Sequence, residues 1–352
     1  MRRYLPLLLI AFFVLIIALT GSTYLAGYAG EQNPETIKNI TVYTTLPLEQ
    51  VTVLAQEYEK SQKLRVNIVP LSEQDLMIHM KTQTATPHAD VLLANRNVLE
   101  QAKQAHLLVP YTSEQTDIIL ERFKDKNNYW IGIWYDPIVF AVNQDYLKKF
   151  PQSVNKWSDL SQDNSRLRIG ITDFWAAEAS ANLLYTLIST NGEAQTFAYL
   201  KKIHPQIVQY AKFLATPVRM AGMGDVDVAI AVQSETLRYV QDNFPLKVVY
   251  PEEGTAFLLT GVGLVNEAPH DADAKQFIDW LTQDKAQEIL RNNKFYFSPT
   301  NSERNIYNSE KNIYKEDAAK NIKLLESKDD FTDEQKHQLL DKWVQTVRLA
   351  SK

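Results

Sequence analysis

The chain has 352 residues, enough for one large or two modest domains with a core each, and its 45% hydrophobic and 22% charged composition is that of an ordinary globular protein. A formal charge of −5 with no basic stripe argues against a nucleic-acid partner. The absence of cysteine excludes a disulfide framework, a thiolate metal site and a lipid-modified cysteine.

Met1-Arg2-Arg3 precedes YLPLLLIAFFVLIIALT, and no further charge occurs until Glu31. Basic residues, an apolar run and then small residues predict a secretory signal, with Gly27 and Ala29 forming a small-x-small cleavage site. Uncut, Leu5 to Ala26 would instead serve as a membrane anchor, which needs about 20 apolar residues. Residues 1–29 are therefore read as a signal peptide or N-terminal anchor, and the positive-inside rule places the body outside the cytoplasm in either case.

ITVYTT from Ile40 is rich in β-branched residues and predicts a strand; Pro47 then opens a helix with Val51, Leu54, Ala55 and Tyr58 on one face. Leu64 to Leu71 is a second strand and Glu73 to Thr82 a second helix. Asp90 to Ala94 is a short buried strand, followed by a helix through Leu99 to Ala105. Strand and helix alternate three times, which predicts βαβ units around a parallel sheet. Ligands of such sheets lie beyond the carboxyl ends of the strands, which nominates Thr44 and Thr45 after the first strand and Asn95, Arg96 and Asn97 after the third.

Further on, Tyr129 to Asn143 gives two apolar segments broken by Asp136-Pro137. Leu167 to Ile171 predicts a strand, Asp173 to Thr190 leads into a long helix ended by Asn191-Gly192, and Glu193 to Ile203 is another helix. Gly222-Met223-Gly224-Asp225 punctuates the chain before an apolar strand, Val226 to Val232. Ser234 is expected to cap the next helix. After a turn at Pro251-Glu252-Glu253-Gly254, a strand runs from Ala256 to Val265, and Pro269 opens a helix bearing Ala274, Phe277, Ile278 and Leu281. Near the end, Leu340, Trp343, Val344 and Val347 form an apolar stripe, read as a closing helix on the first lobe.

The sequence contains no GxxxxGK, no GxGxxG after a strand, no GxSxG and no HExxH, and its six histidines lack metal-ligand spacing. No catalytic residue, metal or cofactor is therefore expected. Trp134, Tyr135 and Trp175 stand near carboxylates, where an aromatic face can hold an organic cation for about 0.5–2 kcal/mol per contact; the same rings would serve equally as core or hinge packing.

The stretch YPEEGTAFLLTGVGLVNEAPHDADAKQFIDWLTQDKAQEIL, Tyr250 to Leu290, resembles the extracytoplasmic solute-binding proteins of ABC transporters, in the branch that binds ferric iron, aminoethylphosphonate and related solutes. That resemblance implies an α/β type II periplasmic binding fold. Each of its two lobes is a mixed sheet flanked by helices, and two crossing strands join them: lobe 1 over 38–135 and 262–352, lobe 2 over 140–258. It implies capture of a small polar solute and delivery to ABC permease and ATPase subunits, by a monomer that is periplasmic or at the cell surface. Contact with the membrane would come through permease docking or an uncleaved leader.

In this chain the family's contact loops contain Thr44, Thr45, Asn95, Arg96, Asp173 to Glu178, and Gln233 to Thr236 with Ser234 and Glu235; Glu253 and Thr255 precede the second crossing. Two departures stand out. Asp173-Phe174-Trp175-Ala176-Ala177-Glu178 replaces the anion-holding Ser-Gly pair of many relatives, and puts an acid where a phosphate would sit. Ser234-Glu235-Thr236 stands where ferric-iron binders carry adjacent tyrosines. An amine-bearing solute is expected in consequence. Ferric iron or a phosphorylated solute is the alternative within the family, and a membrane-tethered sensor or an exported enzyme are the alternatives outside it.

Overall fold

The computed structural model describes residues 38–82, 88–151, 154–162, 167–301, 322–327 and 331–350; the expected leader at 1–29 lies outside them. Eleven strands are described: β1 (Asn39–Thr44), β2 (Arg65–Pro70), β3 (Val91–Asn95), β4 (Leu108–Val109), β5 (Ile131–Asn143), β6 (Ile169–Thr172), β7 (Ile207–Ala211), β8 (Val228–Val232), β9 (Leu246–Val249), β10 (Phe257–Val265) and β11 (Ser298–Pro299). The main path runs β2-β1-β3-β10-β5-β8-β6-β7. β1, β2 and β3 are mutually parallel, as are β6, β7 and β8; the long strands β5 and β10 run antiparallel to their neighbours.

This arrangement follows from the sequence pattern. β3 and β8 (VLLAN and VAIAV) are buried at every position, as parallel strands covered on both faces must be. The intervening helices are amphipathic: Leu48–Gln62 buries Val51, Leu54, Ala55 and Tyr58, and ends on Lys63 in the left-handed conformation. Tyr58 meets Phe277 and Trp280 edge-on at 4.8 and 5.1 Å, which ties the first helix to Asp271–Leu281.

Two large cores result. The first draws on side chains between 40 and 135 and between 257 and 290; the second draws on 138–256 and 339–347. β5 supplies both, with Ile131, Ile133, Trp134 and Tyr135 to the first and Ile138, Phe140 and Val142 to the second. Asp136-Pro137 therefore does not break the apolar run. It lies inside one continuous strand, Pro137 opposite Phe257 and Ile138 donating its N–H to the Ala256 carbonyl. Among the described residues no helix is long and apolar enough to cross a membrane.

The terminal helix Asp333–Trp343 and its π-helical continuation Val344–Arg348 correct an expectation. Their apolar stripe enters the second core, not the first: Trp343 packs at 4.8 Å from Phe174 and 5.4 Å from Tyr210, beside Leu339, Leu340 and Val347. Arg348 Nε adds an ion pair to Asp173 at 2.8 Å.

Asp136 is the costly residue of β5. It is buried, and its carboxyl accepts hydrogen bonds from the backbone N–H (2.9 Å) and hydroxyl (2.5 Å) of Ser234, at the start of the helix Gln233–Gln241. Ser234 is thus inside the helix, and the cap expected from its own side chain comes from the crossing strand. Burial pushes the Asp136 carboxyl up to about 7; the Ser234 hydrogen bonds oppose that shift and nearby Glu235 adds to it. A carboxyl raised in the folded state binds more protons there than in the unfolded chain, so stability falls as pH rises from about 4 to 7. Asp136→Asn is expected to keep the cap and flatten that fall by up to about 1.4 kcal/mol per pH unit, read from urea unfolding at pH 5, 6 and 7.

Candidate functional site

Because β1, β2 and β3 are parallel, their last residues Thr44, Pro70 and Asn95 share one edge; Thr172, Ala211 and Val232 do the same for β6, β7 and β8. The two edges meet in the middle of the crossing strands. Asn95 lies opposite Thr260, which lies opposite Trp134, and Val232 lies opposite Ile138. Trp134 and Ile138 are four residues apart, about 13 Å along a strand.

One polar contact joins the edges directly. Asn95 Nδ2 donates to Glu178 Oε2, from the end of β3 to the first residue of the helix Glu178–Asn191. The amide is oriented from behind, since Thr260 Oγ1 donates to Asn95 Oδ1 at 3.1 Å and leaves the Nδ2 side for the carboxyl. Desolvation first, and then the charge of Glu73, push Glu178 up to about 7; the Asn95 hydrogen bond and the Lys336 ammonium act the other way. Glu73 opens the helix Glu73–Lys81 after β2, and is itself raised by desolvation against the pull of Lys336. Lys336 Nζ donates to Asn97 Oδ1 at 2.8 Å. Beside them Trp175, 46% exposed, has its ring 5.5 Å from that of His337. Carboxyls, an amide and an ammonium thus gather from four elements. Such a group can recognise a small polar cation.

The other nominated residues have different surroundings. Thr44 is internal, donating to the Leu93 carbonyl at 2.7 Å and holding β1 to β3; Thr45 keeps a buried hydroxyl with no hydrogen-bond partner. Arg96 lies over Trp130 and reaches Glu326 at 3.7 Å. Asp173 accepts from the Trp175 N–H and pairs with Arg348.

Trp134 stacks on Phe297 at 5.4 Å and Tyr135 on Phe123 at 5.0 Å, so both rings are covered by the first core and present no face to a cleft. Glu235 pairs with Arg238, one turn along its own helix. Glu253 is a cap, accepting from the backbone N–H groups of Trp157 (3.1 Å) and Ser158 (3.4 Å). Thr255 is buried, donating to the Ile138 carbonyl at 2.6 Å and pairing its backbone with Lys323 and Leu325.

Glu73, Thr260 and Lys336 escaped the sequence reading. Thr260 carried a signal, as the lone hydroxyl inside the apolar run FLLTGVGLV. Glu73 follows the second strand, at a loop equivalent to those that were nominated. Lys336 carried none, because its place depends on which core receives the terminal helix.

Two cores sharing long crossing strands, with strand-end loops meeting between them, define the type II periplasmic binding fold. The chain belongs to the bacterial extracellular solute-binding protein family, whose profile matches residues 86–324. It is 29% identical over 288 residues to an uncharacterized protein of Haemophilus influenzae, covering 77% of this chain and 80% of the relative. It is 23% identical to the Fe(3+)-binding periplasmic protein of Serratia marcescens, covering 80% and 84%. A periplasmic binding protein from Actinobacillus pleuropneumoniae, solved with fructose-6-phosphate, shares the fold at a TM-score of 0.65 and 24% identity, over 89% of this chain and 99% of that one.

The Asn95 contact has a measurable consequence. Removing it by Asn95→Ala takes away a hydrogen bond to the ionised form, so the Glu178 midpoint should climb above about 7, by roughly one unit, in a side-chain carboxyl NMR titration.

Proposed function

We propose that the protein captures a small polar, amine-bearing solute outside the cytoplasmic membrane and hands it to an ABC-type permease with ATPase partners. Glu178 carries the reading. It is a half-buried carboxyl held across the junction by Asn95, with a second carboxyl, Glu73, acting on it. An ammonium placed there would relieve the repulsion between the two acids and favour the ionised form of Glu178; an anion would increase the repulsion.

The chemistry elsewhere weighs against the alternatives. The first N–H groups of the helix Gln233–Gln241, which could receive a phosphate, are bonded by Asp136. Where the ferric-iron binders that the chain resembles carry adjacent tyrosines, this chain has Ser234-Glu235-Thr236. Closure of the lobes on the solute would supply the state that the permease recognises.

Thermal-shift measurements with putrescine, spermidine, Fe³⁺, a phosphonate and a sugar phosphate test the assignment. An amine at about 100 times its dissociation constant should stabilise the fold by about 2.7 kcal/mol. Amine affinity should also rise several-fold from pH 6 to pH 8, because binding favours the deprotonated form of a carboxyl titrating at about 7. Stabilisation by Fe³⁺ or the phosphate alone, or affinity that falls with pH, contradicts the amine assignment.

A further inference from the structure

The terminal helix has a role at the junction that its packing does not require. Its apolar stripe is satisfied in the second core by Leu339, Leu340, Trp343 and Val347. One turn before Leu340 the same face continues as Lys336, which reaches the meeting of the edges. Lys336 Nζ bonds Asn97 Oδ1 at 2.8 Å, two residues beyond the Asn95 that holds Glu178, and the neighbouring His337 ring lies 5.5 Å from Trp175. Lys336 is partly covered, with 22% of its side chain exposed, and its nearest carboxylate on the same helix, Asp333, is 3.8 Å away. The remaining charges that act on this cluster are Glu73 and Glu178 from the two facing helix starts.

Resting on the amine-binding reading above, we propose that Lys336 is a specificity-determining residue of the solute site. Its ammonium is a tethered competitor for the Glu73–Glu178 acidic cluster, which an incoming amine must displace. Lys336 is held by one amide hydrogen bond to Asn97 and by an ion pair to the exposed Asp333 of its own helix, and both are easily redirected, since its flexible stem lets Nζ swing outward while the helix stays anchored by Trp343. The competition sets a threshold. A monoamine offers one ammonium in exchange for the one it displaces, whereas a diamine or polyamine brings a second charge for the other carboxylate. The site thereby favours solutes with more than one amine.

The test uses the full chain and compares Lys336→Gln with Lys336→Arg, each checked for an unchanged fold by circular dichroism. Titration calorimetry with putrescine and with n-butylamine should show Lys336→Gln binding both amines roughly three- to tenfold more tightly, with a smaller preference for the diamine. Lys336→Arg should stay near wild type. Without any solute, the NMR midpoint of Glu178 should rise in Lys336→Gln and not in Lys336→Arg. Unchanged or weaker amine binding by Lys336→Gln, or an unmoved Glu178 midpoint, overturns the role of Lys336 and leaves amine capture standing. If neither the wild type nor Lys336→Gln binds any amine, the amine reading itself fails, and the competitor role falls with it.

Discussion

The continuity of β5 is the constraint from which the rest follows. Thirteen consecutive buried residues run from the first core into the second, and β10 accompanies them with a register shift at Thr260/Gly261, where β5 carries the extra residue Ile133. A strand that enters two cores cannot slip by one residue without turning both sets of side chains inside out. It therefore fixes where the parallel strands on either side may end. Gly261 and Gly263 belong to this constraint: a Cβ at Gly261 would sit 2.6 Å from the Ile131 carbonyl, so the crossing strands approach more closely than any side chain permits. Asp136 is the exception built into the strand, a buried carboxyl exchanged for a cap on the helix that follows β8.

Given that frame, the site is an electrostatic arrangement with few fixed parts. Thr260 orients Asn95, Asn95 holds Glu178, and Asn97 holds Lys336, so that neutral amides position the charges on both sides of the junction. Amides suit this work because they bond carboxylate and ammonium alike without adding net charge. The acids are left partly desolvated and unequally neutralised, and that imbalance is what a cationic solute would correct. The two acids of the segment Asp173 to Glu178 divide their work: Asp173 is used internally on Arg348, while Glu178 faces the opposite edge.

Much of this was legible from the chain. The short apolar runs VLLAN and VAIAV located β3 and β8 to within a residue or two, because burial on both faces leaves little room for polar residues. Three features were not legible. Asp136-Pro137 looked like a break, since nothing local shows that a partner helix will satisfy the carboxyl. The helix Ala215–Met223 hid behind Gly222 and Gly224, which read as loop punctuation; Gly222 is in fact a packing glycine, whose Cβ would lie 2.6 Å from the Phe244 ring. The terminal helix showed its apolar stripe plainly, but a stripe says which face is buried and not which core receives it. Of the nominated residues, Asn95 came from strand-end reasoning and Glu178 from the contact loops that the family resemblance implies, and the two met, whereas Trp134 and Tyr135 were chosen for ring chemistry and lie stacked in the first core.

The central claim is that solute capture happens at the Asn95–Glu178 junction and engages both edges together. Amide hydrogen exchange with and without saturating putrescine addresses it most directly. The account predicts that exchange slows in concert at 94–97 and 175–180, on opposite sides of the junction, with little change on the outer helices. Slowing confined to one side, or centred on 233–236 with no change at Glu178, would contradict it.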